Sequence, residues 1–120
     1  MVDPSKVLAI LDSDPSITHV GIVHSETTSG LVNPIDFLKS YSRPIHLIVD
    51  AMSSFGAYAT KAAENKIDFL ISSSNKCVQG SPGFAFVVAN KTALQKYKGN
   101  ATSVVLDLVD QDEGYPYKKI

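Results

Sequence analysis

Two ionisable side chains stand just beyond apolar segments that have the character of buried β-strands. Lys76 follows segment 67–71 after a serine-rich stretch and precedes a turn of glycine, serine and proline at 80–83. Asp50 directly follows another apolar segment, 45–49. Because open α/β sheets bind ligands at the carboxyl ends of their strands, we expect Lys76 and Asp50 to lie at one such edge.

An amine and a carboxylate at one sheet edge are the pair that pyridoxal phosphate requires. Lys76 can hold the cofactor as a Schiff base, and Asp50 can keep the pyridine nitrogen protonated. The cofactor also needs a hydrogen-bond donor at its phenolic oxygen, for which Thr27 is the candidate. Asn75 is the candidate for a contact with the phosphate, and Met52 for an apolar side chain against the ring. Each signal is weak alone, since such lysines are ordinarily solvated and such aspartates ordinarily form turns.

The elements that must position these residues alternate along the chain. Helices are predicted over 4–13, 34–42, 55–65 and 91–99, and strands over 18–24, 45–49, 67–71 and 83–89. Asp3 and Asn90 are the expected N-caps of the first and last helices. This alternation predicts an α/β fold with a mostly parallel sheet flanked by helices.

Composition narrows the function classes. The chain has 120 residues, 44% of them hydrophobic, and a formal net charge of -1. One soluble domain is expected, and a nucleic-acid partner is not, since phosphate backbones attract basic proteins. No apolar run reaches the ~20 residues of a membrane span and no signal-peptide pattern is present, so we expect no membrane partner and a cytoplasmic location. Cys77, the single cysteine, is predicted to be a small core residue.

Three rival chemistries have weaker support. His24 and Glu26 could bind a metal, but no third ligand is placed nearby, so His24 is predicted to be a hydrogen-bonded residue at the core or its rim. The stretch 80–83 lacks the Gly-x-Ser-x-Gly spacing of a nucleophile elbow. A Gly-x-x-x-x-Gly-Lys phosphate loop is also absent.

Three ordered stretches, 24–35, 49–56 and 73–84, resemble the class V aminotransferases, and the resemblance runs from about Pro15 to Asp110. It implies that 1–110 is part of the large, cofactor-binding domain of a fold-type I pyridoxal-phosphate transferase, with 111–120 a tail that is poorly ordered or docked. By the same resemblance, Lys76 matches the Schiff-base lysine and Asp50 the partner of the pyridine nitrogen. Thr27, Met52 and Asn75 match the positions at the ring hydroxyl, the ring face and the phosphate.

The resemblance also implies a reaction, in which an amino donor and a 2-oxo acid exchange an amino group. Stretch 75–80 resembles the branch of the family that uses 2-aminoethylphosphonate and pyruvate; alanine-glyoxylate and serine-pyruvate aminotransferases share the scaffold. Lys76 would then move a proton as a neutral amine, which burial would favour.

The chain also departs from the family. Members of the family are homodimers of much longer chains. The parts that this chain lacks include the arginine that pairs with the substrate's anionic group. The single arginine here, Arg43, precedes strand 45–49. The sequence therefore resembles a fragment. A non-catalytic remnant that only binds a partner or the cofactor stays open as a second hypothesis.

Overall fold

The computed structural model describes residues 1–114 and contains six strands and three helices there. In chain order the strands are β1 (His19–Val23), β2 (Ser25–Glu26), β3 (Leu31–Val32), β4 (His46–Asp50), β5 (Ile67–Ser73) and β6 (Ala85–Ala89). The helices are α1 (Pro4–Ser13), α2 (Lys91–Gln95) and α3 (Leu108–Gly114). All four strands predicted from the sequence are present, with no end shifted by more than two residues.

The main sheet has the strand order β1-β4-β5-β6. Strands β1, β4 and β5 are parallel, and β6 runs antiparallel to β5. The mostly parallel sheet of an α/β fold is thus confirmed. In the register, Asp50 pairs with Val23 of β1 on one side and with Ile71 of β5 on the other, so the carboxyl ends of the three strands lie side by side.

The core lies against this sheet. Leu47 and Val49 of β4 are fully buried, and they alternate with partly buried neighbours, as expected for a central strand covered on both faces. Helix α1 begins as predicted, because the Asp3 side chain accepts a hydrogen bond from the Ser5 amide and proline occupies the first turn. The core cluster consists of Leu11, Ile35, Leu38, Leu47, Val49, Ala51, Ile67 and Leu70.

The helix predicted over 34–42 is wrong. The chain there forms turns, in which the Lys39 amide donates to the Asp36 carbonyl and the Tyr41 amide to the Leu38 carbonyl, three residues back in each case. Ile35 and Leu38 are nevertheless buried. These two apolar side chains therefore reach the core, although the backbone that carries them is not helical.

The helix predicted over 55–65 is also wrong. Gly56 and Lys61 have positive φ values, 91° and 44°, which interrupt a right-handed helix. Turns lie at 52–57 and 62–66, and the Ala62 carbonyl accepts from the Ile67 amide where β5 begins. The alanine content of this segment favours a helix by only a few tenths of a kcal/mol per residue, which tertiary packing overrides.

The chain divides into two compact units, Met1–Ala89 and a second that begins at Asn90. Within the second unit, Asn90 caps α2 as predicted, but the helix ends at Gln95 and gives way to turns before Gly99. Helix α3 covers residues 111–114, so the predicted tail is helical at its start; 115–120 lie outside the described residues. Among the helices of residues 1–114, none has the length and apolar character needed to cross a membrane.

Candidate active site

Three connecting segments meet at the carboxyl edge of the parallel strands. They follow β1, β4 and β5, and backbone hydrogen bonds extend the strand pairing into them. The His24 amide donates to the Asp50 carbonyl at 2.8 Å, and the Ala51 amide donates to the Ile71 carbonyl at 2.8 Å. The edge is therefore a continuous, hydrogen-bonded surface, as expected for the ligand side of an open α/β sheet.

Asp50 is the last residue of β4 and is partly buried. Its Oδ1 atom accepts a hydrogen bond from the Met52 amide at 2.9 Å, which fixes the direction of the carboxylate. Met52 is itself partly buried in the turn that follows. The sequence-predicted pair of a carboxylate and an apolar side chain thus lies within one short turn.

Lys76 lies on the turn that follows β5, the neighbour of β4, and its side chain is exposed. The turn is closed by the Gly80 amide, which donates to the Ser74 carbonyl at 2.7 Å, and by the Gln79 amide, which donates to the Lys76 carbonyl at 2.9 Å. The burial expected for this amine is therefore absent: the Lys76 side chain lies at the surface of the described residues.

The turns that carry Asp50 and Lys76 touch each other. Cys77 Sγ donates to the Ser53 carbonyl at 3.5 Å. A Cβ atom added at Gly56 would lie 3.6 Å from the Cys77 carbonyl carbon. Cys77 is exposed, so its prediction as a core residue is wrong: the thiol lies at the surface between the two turns.

Thr27 and Asn75 lie on the segments that leave the same edge. Thr27 is exposed in the turn that joins β2 to β3, a hairpin that the sequence pattern did not reveal because each strand has only two residues. Asn75 is exposed, and its Oδ1 atom accepts from the Ser73 hydroxyl at 2.8 Å. The roles assigned to these two side chains stay predictions.

His24 is a residue of this edge for which sequence reasoning found no role in the site. It is 5% exposed, and its Nδ1 atom is hydrogen bonded to the Ser54 hydroxyl at 2.9 Å. The Tyr58 ring meets the imidazole edge-on, with ring centroids 5.8 Å apart. Removal from water lowers the pKa of His24. The prediction of a hydrogen-bonded core residue is confirmed; within residues 1–114, no cluster of side chains suits a metal ion.

Arg43 is used for structure, away from this edge. Its guanidinium donates four hydrogen bonds to backbone carbonyls, those of Leu11, Asp14, Pro15 and Ile17, at distances between 2.5 and 3.3 Å. These contacts join the end of α1 to the segment before β4. The single arginine of the sequence is therefore not placed to hold an anionic substrate at the carboxyl edge.

The sequence matches the family model of class V aminotransferases over residues 1–115. It is 53% identical over 109 residues to a 2-aminoethylphosphonate–pyruvate transaminase of Vibrio vulnificus, and 50% identical over 113 residues to one of Bacillus cytotoxicus. These matches cover 89% and 91% of the chain. The chain spans about 30% of the length of each relative.

Solved aminotransferases have the same fold. A pyridoxamine-pyruvate aminotransferase from Mesorhizobium loti matches 91% of this chain and 29% of its own, with a TM-score of 0.82 and 35% identity. A ureidoglycine-glyoxylate aminotransferase from Bacillus subtilis matches 94% of this chain and 30% of its own, with a TM-score of 0.84 and 25% identity. The predicted α/β architecture, part of the large domain of a fold-type I transferase, is confirmed. The chain belongs to the class V aminotransferases.

Proposed function

We propose that this chain carries the cofactor lysine and the pyridine-binding aspartate of a transaminase that moves the amino group of 2-aminoethylphosphonate to pyruvate. The products are phosphonoacetaldehyde and alanine. The observation that carries the proposal is the 53% identity to 2-aminoethylphosphonate–pyruvate transaminases, in a fold that presents Asp50 and Lys76 on touching turns. Alanine-glyoxylate and serine-pyruvate transamination are the competing reactions.

The residues present fit pyridoxal phosphate. Asp50 is a partly buried carboxylate whose Oδ1 atom is already fixed by a backbone amide, which suits a charged hydrogen bond to a ring nitrogen. Lys76 would hold the cofactor covalently through Nζ. Thr27 would donate to the phenolic oxygen, Met52 would pack on the ring face, and Asn75 would contact the phosphate. When bound, the cofactor supplies an electron sink for charge that develops on the donor carbon.

Lys76 Nζ would also carry a proton between the reacting carbon atoms, which requires the amine to be neutral for part of the cycle. In this chain the side chain is exposed to water. A second subunit that covers the edge would exclude that water. We therefore include a homodimer in the proposal, with the amino donor and the 2-oxo acid as the small-molecule partners.

Cofactor binding tests the proposal by absorbance. Adding pyridoxal phosphate to the 120-residue chain should produce a visible band, and Lys76→Ala should abolish it. Lys66→Ala is the matched control, because Lys66 is an exposed lysine directly before β5, at the opposite end of the same strand. A band that survives Lys76→Ala, or that is lost equally in Lys66→Ala, would show that the assignment of Lys76 is wrong.

Substrate choice needs a separate assay. We expect amino transfer from 2-aminoethylphosphonate to pyruvate to exceed transfer from alanine to glyoxylate or from serine to pyruvate. A preference for either competing pair would replace the phosphonate assignment while retaining the family. Cofactor binding without transfer from any donor would support the non-catalytic binding module.

A further inference from the structure

The buried pair of His24 and Ser54 joins the segment after β1 to the turn after β4, the strand that ends at Asp50. Ser54 is fully buried, and its hydroxyl is hydrogen bonded to His24 Nδ1 at 2.9 Å. The backbone of His24 is tied to the same strand end, since its amide donates to the Asp50 carbonyl at 2.8 Å. His24, directly after β1, is thus bonded at two points, to the last residue of β4 and to the turn that follows it.

Ser54 organises that turn. Its amide donates to the Ala51 carbonyl at 3.1 Å, and its own carbonyl accepts from the amides of Ala57 and Tyr58, both at 3.0 Å. The Met52 amide, which holds Asp50 Oδ1, lies inside the same turn. Any movement of Ser54 therefore moves the donor that orients the carboxylate.

The chemistry of the pair suits a fixed support better than an acid or base. Burial of His24 lowers its pKa, so the imidazole is neutral near pH 7 and adds no charge beside Asp50. A buried hydrogen bond between neutral partners costs more to break than an exposed one, because both groups lose their solvent replacement. The side chain is packed between the turn and the Tyr58 ring rather than open to a substrate.

We infer that His24 is a positioning residue: through Ser54 it holds the turn after β4 so that the Asp50 carboxylate is directed at the pyridine nitrogen of the cofactor. This inference rests on the proposed function, because it gives Asp50 the role of the pyridine partner. It assigns a function in the site to a histidine and a serine that make no direct contact with the reacting groups.

The test compares the affinities of the 120-residue chain for pyridoxal phosphate and for an analogue in which the ring nitrogen is replaced by carbon. Only the interaction with Asp50 needs that nitrogen, so the ratio of the two dissociation constants isolates it. The unsubstituted chain should prefer pyridoxal phosphate by about tenfold or more, as expected for one charge-assisted hydrogen bond. Asp50→Asn should remove most of this preference.

His24 variants then separate positioning from general stability. In His24→Asn the amide group lies near the place of Nδ1 and can still bond Ser54, whereas in His24→Gln it lies near the place of Nε2. We expect His24→Gln and Ser54→Ala to lower the preference by about threefold or more and His24→Asn to keep it within about twofold. The double variant His24→Gln with Ser54→Ala should be no worse than either single variant, because both remove the same bond.

Ile67→Val is the structural control. Ile67 is 5% exposed at the opposite end of β5, so its truncation lowers stability without touching the turn. The Ile67→Val chain should prefer pyridoxal phosphate over the carbon analogue as strongly as the unsubstituted chain does. The inference is wrong if Ile67→Val loses as much of this preference as His24→Gln does. It is also wrong if both His24→Gln and Ser54→Ala keep the full preference. If His24→Gln does not fold, Ser54→Ala decides the question alone.

Failure of the proposed function gives a different result. If the unsubstituted chain binds neither compound, or binds both equally, Asp50 does not hold the ring nitrogen and the inference about His24 falls with it. If the preference exists and depends on Asp50 but not on His24 or Ser54, only the inference about positioning is lost.

Discussion

The two edges of the parallel strands use their polar side chains in opposite ways. At the amino edge, His46 Nδ1 lies 3.1 Å from Asp68 Oδ2, and the same oxygen accepts from the Leu47 amide. Nearby, Arg43 is bonded to four carbonyls. These polar groups are occupied with holding the fold together.

At the carboxyl edge, the side chains proposed to bind the cofactor are wholly or partly exposed. Lys76, Asn75 and Thr27 are exposed, and Asp50 is only partly buried. The backbones of the turns after β4 and β5, by contrast, are hydrogen bonded internally, and these two turns contact each other. The difference indicates that rigidity at this edge comes from the backbone and from the buried pair of His24 and Ser54, which leaves the side chains available to a ligand.

Arg43→Ala should produce the largest change in stability. Removing the guanidinium leaves four carbonyl acceptors without their charged donor, and we expect the free energy of unfolding to fall by about 3 kcal/mol. Urea denaturation measures this loss. Arg43→Lys should recover only part of it, because an ammonium group cannot reproduce the planar array of donors. A loss below about 1 kcal/mol would show that the amino edge is not held by this residue.

Gly80→Ala should disturb the carboxyl edge. An added Cβ would lie 3.1 Å from the Ser74 carbonyl oxygen and 3.2 Å from Ser74 Cβ, so the turn that carries Lys76 must shift. We expect a loss of about 2 kcal/mol in unfolding free energy together with weaker pyridoxal phosphate binding. Gly21→Ala in β1 is the control, because its Cβ would meet no atom within 4 Å. Equal cofactor affinity in the two variants would contradict the proposed place of the Lys76 turn.

Acid should weaken the fold through His24. Its pKa in the folded chain is below the ordinary value of 6.5, so below that pH the unfolded chain binds a proton that the folded chain resists. The unfolding free energy therefore declines as pH falls from 6.5 towards the folded pKa, by at most about 1.4 kcal/mol per pH unit from this group. His24→Asn should flatten that part of the profile. An identical pH profile in His24→Asn would rule out this contribution.

Lys39→Ala should have the smallest effect. Lys39 Nζ lies 2.9 Å from Glu64 Oε1, but both side chains are about half exposed. Such surface pairs contribute about 0.5 kcal/mol or less, and salt screens them. Thermal melting at low and high salt measures the difference. A loss comparable to that of Arg43→Ala would mean that exposed pairs matter as much as the bonded arginine.

The sequence predicted the strands and the carboxyl edge of the sheet better than the segments that connect the strands. Segment 45–49 is continuously apolar apart from His46, and that pattern is typical of a covered parallel strand; β4 is central and buried. The helices predicted over 34–42 and 55–65 are turns, because apolar spacing records which side chains are buried but not which backbone carries them. The positive φ of Lys61 has no signal in the residue type.

For the candidate site, the sequence likewise predicted the positions at the strand ends but not the contacts between the connecting segments. Asp50 and Lys76 could be assigned to one edge, because chain direction alone fixes where parallel strands end. The pairing of His24 with Ser54 could not, since 30 residues separate them and nothing in the two residue types shows that their side chains meet. Exposure of Lys76 was likewise unpredictable, because it depends on the path of the turn of 74–80, which the residue types do not fix.

The most direct measurement locates the cofactor on the chain. The protein is incubated with pyridoxal phosphate, reduced with borohydride to make the linkage permanent, and digested for peptide mass spectrometry. We expect the cofactor on Lys76, and we expect Asp50→Asn to reduce the labelled fraction at limiting cofactor. Labelling confined to another lysine, or spread evenly over the exposed lysines with Lys66 among them, would contradict the central claim that Lys76 and Asp50 form the cofactor site.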